Sequence, residues 1–282
     1  MLDHDAILGL ERKARHTWSQ ADAILYALGI GLPGDPLDPQ ELAFVCEGPQ
    51  FQAMPTFPVV VGFHDGVLDA IGMDDVQLLH GEHAVTLHRP FPAAGAAHAH
   101  SRIVGAWDKG AGKGAVFAQE KVLTLDGDDD PLATIRTTVF ARADGGYGGP
   151  REGQPAPHPV PGRLPDHSLD LPTTPQQALL YRRSGDFNAL HCDPAVAAAA
   201  GFDKPILHGL CTYALCCRAV LRTYCDNDPR RVRHHAARFS AVVYPGDVLT
   251  VDMWRDGDTV SFEARVRARD VVVIRNGVTL LG

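Results

Sequence analysis

The sequence predicts an α+β protein made of two similar halves, each an antiparallel sheet wrapped around a helix. Three observations carry this. A Gly/Pro-rich stretch from about Asp144 to Pro175 interrupts the chain near its middle, the two flanking portions resemble one another, and a long helical pattern is followed by period-two alternation.

The middle stretch reads Gly-Gly-Tyr-Gly-Gly-Pro and then Pro-Ala-Pro-His-Pro-Val-Pro-Gly, with no apolar periodicity on which to build an element. It divides the chain into residues 1–150, a linker at 151–165, and residues 166–282. In the first half, Leu87-His-Arg-Pro-Phe-Pro-Ala-Ala-Gly95 precedes alternating stretches at Ala97–Val104 and Gly114–Leu125. In the second, Phe239-Ser-Ala-Val-Val-Tyr-Pro-Gly246 precedes Val248–Trp254, Val260–Ala268 and Val271–Leu281. Leu249, Val251 and Met253 fall on one strand face, as do Val260, Phe262, Ala264 and Val266 on the next, with Asp256-Gly257 as the hairpin between them. Leu210, Tyr213, Ala214, Cys217, Val220, Leu221 and Tyr224 recur at helical spacing, with Arg218 and Arg222 on another face, so an amphipathic helix is expected ahead of the second sheet.

Composition narrows the function. The chain has 282 residues, 45% of them hydrophobic, and a formal net charge of -8. That length supports a sizeable core without staples, and that charge argues against nucleic acid or an anionic membrane as partner. The apolar runs Phe57–Phe63 and Val271–Ile274 are too short to span a bilayer, and Met1–Arg15 is charged rather than signal-like, so a cytoplasmic protein is expected. Six cysteines show no metal-ligand spacing, and small apolar core residues in a reducing compartment account for them. His98 and His100 share a strand face near His83 and His88, but no ligand-like carboxylate or cysteine spacing joins them, and no metal is expected.

The chemistry concentrates in Tyr181–Leu210. Gly185-Asp186 reads as a turn and Asp193-Pro194 as the start of a short alanine-rich helix ending at Gly201, which leaves Asp186, Asn188 and His191 on one ordered loop. An acid and an imidazole can hold one water and exchange two protons, and Asn188 offers a donor and an acceptor to fix them. Gly209, at the opening of the long helix, would present a backbone N–H at the positive end of the helix dipole, open to a developing oxyanion. Against this, a lone histidine is often structural and an Asp near a turn is often a cap.

Gly185-Asp186-Phe187-Asn188-Ala189-Leu190-His191 resembles the Gly-Asp-x-Asn-Pro-Leu-His signature of the hydratase 2 (MaoC-like) family, departing only at Ala189. The similarity extends through Gly201–Leu210, Arg238-Phe239 and Tyr244-Pro-Gly246, and into the first half at Tyr26–Gly31, Met54–Phe57, Leu79–Glu82, Asp108–Gly110 and Gly145–Gly149. It implies a double hot-dog fold whose second half alone keeps the catalytic loop, while the first half binds the acyl chain and CoA. It also implies Asp186 and His191 as the catalytic pair, Asn188 as their support and Gly209 as oxyanion donor, with CoA thioester contacts at His80, Gly81, Lys109 and Phe239. The activity implied is reversible hydration of a trans-2-enoyl-CoA to a (3R)-3-hydroxyacyl-CoA by a bacterial homodimer without cofactor. Alternatives within reach of the same fold are an acyl-CoA thioesterase and a non-catalytic acyl-CoA-binding partner subunit.

Overall fold

A computed structural model describes residues 3–73 and 78–282. The first half runs helix α1 (His4–Leu8), strand β1 (Glu11–Trp18), helices α2 (Gln20–Gly29) and α3 (Pro39–Leu42), then strands β2 (Leu78–Leu87), β3 (Gly95–Asp108), β4 (Ala115–Leu125) and β5 (Pro131–Ala141). The second runs β6 (His167–Pro172), helices α4 (Gln177–Tyr181), α5 (Pro194–Ala199) and α6 (Gly209–Tyr224), then β7 (Val232–Phe239), β8 (Val248–Asp256), β9 (Thr259–Val266) and β10 (Val271–Leu281).

All ten strands join one sheet in the order β1-β3-β4-β5-β2-β7-β10-β9-β8-β6. From either outer edge inward, the strands of a half follow the same order: first, third, fourth, fifth, second. The halves therefore meet edge to edge across a pseudo-two-fold axis, with β2 antiparallel to β7 through Glu82↔Arg238, Ala84↔Ala236 and Thr86↔His234. Each half hides an edge that would otherwise be open for pairing.

The period-two pattern of the second half holds: Leu249, Val251, Met253, Val260, Phe262, Ala264 and Val266 are buried. The opposite face of these strands is partly covered as well. The segment before β6 lies across it, His158 bonding Ser261 at 2.8 Å and accepting through its carbonyl from Asn276, also at 2.8 Å.

The sheet of the second half wraps α6, and of the two arginines expected on its other face only Arg222 is exposed. Every residue from Leu210 to Leu221 is buried, Arg218 included. Arg218 meets Glu41 of α3 at 3.0 Å and donates to the Gly31 carbonyl at 2.8 Å, with side chains only 4% and 1% exposed. The first half thus packs on the side of α6 that faces away from its own sheet. The halves are also unequal. The longest helix of the first is α2, 10 residues against 16 in α6, and Met54, Phe57, Val59 and Val61 fill its core from an irregular segment instead.

Candidate active site

Asp and Asn side chains fold the loop between α4 and α5. Gly185, at φ 120°, closes the 3₁₀ turn Arg182–Ser184 in a backbone region that favours glycine. Asp186 Oδ1 then accepts from the Asn188 N–H at 3.2 Å, Asn188 Oδ1 accepts from the Leu190 N–H at 2.9 Å, and Asp193 Oδ1 accepts from the Ala195 N–H at 2.8 Å. Each bond spans two residues and stands in for a backbone turn. Asn188 therefore caps the 3₁₀ turn Ala189–His191. Its Oδ1 thereby shapes the loop that presents Asp186 and His191, and its backbone N–H steadies Asp186.

That turn sets His191 into the interior. Its Nδ1 lies 2.9 Å from the Ile206 carbonyl, an acceptor only, so Nδ1 carries the proton and Nε2 keeps its lone pair. Nε2 points at Asp186, 3.9 Å from Oδ2, with side chains 10% and 19% exposed respectively. The gap exceeds a direct hydrogen bond and suits two groups that each reach one water at about 2.8 Å. Burial lowers the proton affinity of His191, offset by the Ile206 bond and the charge of Asp186, with Arg182 lowering it further.

Gly209 is the first residue of α6. The His208 carbonyl accepts from the N–H groups of Cys211 and Thr212 at 3.1 and 3.2 Å and so points down the helix. In a trans peptide the Gly209 N–H points the opposite way, out of the helix start, and it has no backbone acceptor among the described residues. A Cβ on Gly209 would stand 3.2 Å from Phe239 Cε1, so Phe239 packs directly over the helix tip.

The four residues expected to touch the thioester or CoA lie at one end of the sheet. The His80 ring packs 4.8 Å from that of Phe239, and burial pushes its imidazole down to about 4 against the opposing charge of Asp186. Gly81 is the bulge residue where β2 slips against β5, 3.2 Å from the Thr138 carbonyl at its would-be Cβ. Lys109 follows β3, whose Asp108 pairs with Ala115, which pairs with Ala141, which pairs with Leu78 at the start of β2. Its Nζ donates to the Arg151 carbonyl at 3.0 Å. Next to it, Asp108 accepts from the N–H groups of Gly110, Gly146 and Gly148 at 2.7–2.8 Å, which pins the glycine-rich segment under the turn. A cleft of about 250 Å³ lined by both halves, including Trp18, Phe57, Val60, Gly62, Ser184 and Gly185, opens beside the loop.

One residue of the site escaped the sequence reading. His208 stacks on His191 with ring centroids 3.7 Å apart and planes 25° from parallel. Its position was the available signal: it stands at the N-cap of α6, where Ser, Thr, Asp or Asn is preferred, and makes no capping bond. Asp186, His191 and His208 each offer a ligand atom within 4.8 Å of the others. A metal bound about 2.0 Å from a ring nitrogen lies in the plane of that ring, however, and stacked rings do not aim their lone pairs at one point. His98 and His100 face separate carboxylates, Asp126 at 3.4 Å and Glu11 at 2.9 Å.

Residues 157–276 match the MaoC like domain, and residues 16–143 match the MFE-2 hydratase 2 N-terminal domain. The chain is 39% identical to the enoyl-CoA hydratase ChsH3 of Mycobacterium tuberculosis over 99% of both chains. The solved MaoC-like dehydratase of Phytophthora capsici is 31% identical and superposes with a TM-score of 0.89, covering 100% of this chain and 98% of that one. A further Mycobacterium tuberculosis protein, described as a double hotdog fold, shares the architecture with a TM-score of 0.54 at 16% identity.

Proposed function

The chain belongs to the MaoC-like hydratase 2 family of enoyl-CoA hydratases, and from that premise we propose that it adds water to a trans-2-enoyl-CoA to form a (3R)-3-hydroxyacyl-CoA. The single observation that carries the mechanism is the convergence of Asp186 and His191 across 3.9 Å with the His191 Nε2 lone pair turned inward. A water held by both groups loses a proton to the pair as its oxygen bonds to C3. The electrons of the double bond move toward the thioester oxygen, which the Gly209 N–H receives, and the pair returns a proton to C2. Acid and imidazole titrate as one unit in this scheme, and the proton balance closes within it. The sum is water added, with nothing oxidised or reduced.

The thioester enters over Phe239 and His80, with Lys109 at the same end of the sheet for a CoA phosphate. The acyl tail runs toward the first half, where the cleft beside Gly185 leaves room for it. No metal takes part.

The test is the ultraviolet absorbance of the conjugated enoyl thioester. Chelator-treated protein should bleach it without releasing free CoA thiol, while Asp186→Asn and His191→Ala should each lose at least about a hundredfold in turnover, the scale of a positioned acid or base. Thiol release at the bleaching rate would mark a thioesterase, and unchanged turnover in Asp186→Asn would remove the pair from the mechanism. Chiral analysis of the product reads the stereochemistry directly, a 3S product refuting that part.

A further inference from the structure

His208 stands where the three working parts of the site meet. It is 1% exposed, with His191 stacked on its ring and Tyr181 tilted against it at 5.0 Å. Its Nε2 lies 3.2 Å from the backbone carbonyl of Asp186, so Nε2–H donates and Nδ1 keeps a lone pair that meets no partner among the described residues. Its own carbonyl, bonded into the first turn of α6, belongs to the peptide that carries the Gly209 N–H.

We propose that His208 is a positioning residue: a single neutral imidazole that ties the Asp186 loop, covers the ring of His191 and holds the oxyanion peptide in register with both. The proposal rests on the hydratase reading above and adds to it a residue with no proton to transfer.

Neutrality is part of the role, since two stacked imidazolium rings would repel. The groups facing the two rings are Asp186, Arg182 and the neutral Tyr181. Burial first, then His191, pushes His208 down to about 4, with Asp186 opposing, so the ring of His208 resists taking a proton. Its flat face keeps water off His191, and burial is the main cause that holds His191 below its ordinary value of 6.5. Removing the ring should let that value rise.

Three variants separate the functions. His208→Phe keeps a ring and loses the donor, His208→Gln keeps a donor and loses the ring, and His208→Ala loses both. Each is read by kcat and KM on a trans-2-enoyl-CoA, by thermal unfolding, and by NMR titration of His191 without substrate. His208→Ala should lower kcat about a hundredfold, with KM nearly unchanged, because displacing reacting groups by about 1 Å costs that much. The same variant should raise the His191 titration toward 6.5. His208→Phe should leave that titration in place and still lose about tenfold in kcat, whereas His208→Gln should raise it and recover part of kcat. If His208→Ala does not fold, the other two carry the test. A wild-type kcat in the folded variants, a loss confined to KM, or a His191 titration unmoved by His208→Gln would overturn the proposal. Failure of the wild-type protein to hydrate any enoyl-CoA would strike the hydratase reading instead, and the substrate-free titration would still report on the stack.

Discussion

Ala189 is where the loop departs from the family signature, and its surroundings show what the departure costs. It opens the 3₁₀ turn that carries His191, and the residue before it, Asn188, sits at φ -53° and ψ 127°. That extended conformation is the one a following proline imposes, and the first position of a helical turn is where proline fits. Ala189→Pro should therefore stabilise the protein by about 0.4–1 kcal/mol through the unfolded chain, with turnover at or above the parent level. Urea unfolding beside a kinetic assay checks it, and a destabilised variant would mean that the turn differs from this description. The same loop shows what a sequence exposes at this scale. Asp186 and His191 stand five residues apart on one loop, so their convergence is legible in the chain, and the local bonds of Asn188 that shape the loop follow from residue type. His208 lies beyond α5, and its stacking on His191 is a tertiary fact that no spacing reveals.

At the scale of elements, α6 serves both as the core of the second half and as the mount of the Gly209 amide. Glycine is a poor helix former, so Gly209→Ala should gain helix propensity of up to about 1 kcal/mol if nothing else changed. Its new methyl would stand 3.2–3.6 Å from the edge of Phe239, however, and so push that ring, or the substrate path beside it, out of place. The expected outcome is near-parental thermal stability with KM raised severalfold. A variant with lower stability and unchanged KM would show that the glycine is there for packing alone. Strands β8 and β9 could be read in advance because one face of each is apolar at period two. Strand β1 could not: Glu11-Arg-Lys-Ala-Arg-His-Thr-Trp18 is largely exposed and pairs along one edge with β3, and its charged side chains are what keep an edge strand from recruiting further strands. In β4, Glu120 binds Arg102 and Arg136 while its neighbour Lys121 turns inward to Asp65 at 3.2 Å. A buried lysine breaks the apolar pattern without breaking the strand. Arg218 misled in the same way, since the Glu41 that neutralises it comes from the other half of the chain.

For the molecule as a whole, the single sheet continuous through β2 and β7 carries or packs against a set of histidines whose proton affinity burial lowers. His235 is fully buried, bonding Thr279 Oγ1 at 2.7 Å and the Tyr213 carbonyl at 3.2 Å, and burial brings it to about 3. His208 is held at about 4 by burial and by His191, and burial keeps His83 well below its usual range. The unfolded chain takes up these protons near 6.5, so between that value and the folded ones it binds more protons than the native state. Stability must then rise with pH across the window and fall as pH drops through it. The loss deepens as pH falls toward the folded values, against a margin of only about 5–15 kcal/mol for a single domain. Carboxylates such as Asp126, held low by its bond to Arg15, weaken the fold only below their ordinary 3.8, so their loss comes later on the same titration. Urea midpoints measured from pH 7 down to pH 4.5 should therefore decline from about pH 6.5 onward. His235→Gln, less stable at pH 7, should decline more gently because one buried proton acceptor is gone. A midpoint that stays level to pH 4.5 would mean that these imidazoles reach solvent and that the core between the halves opens more readily than its packing indicates.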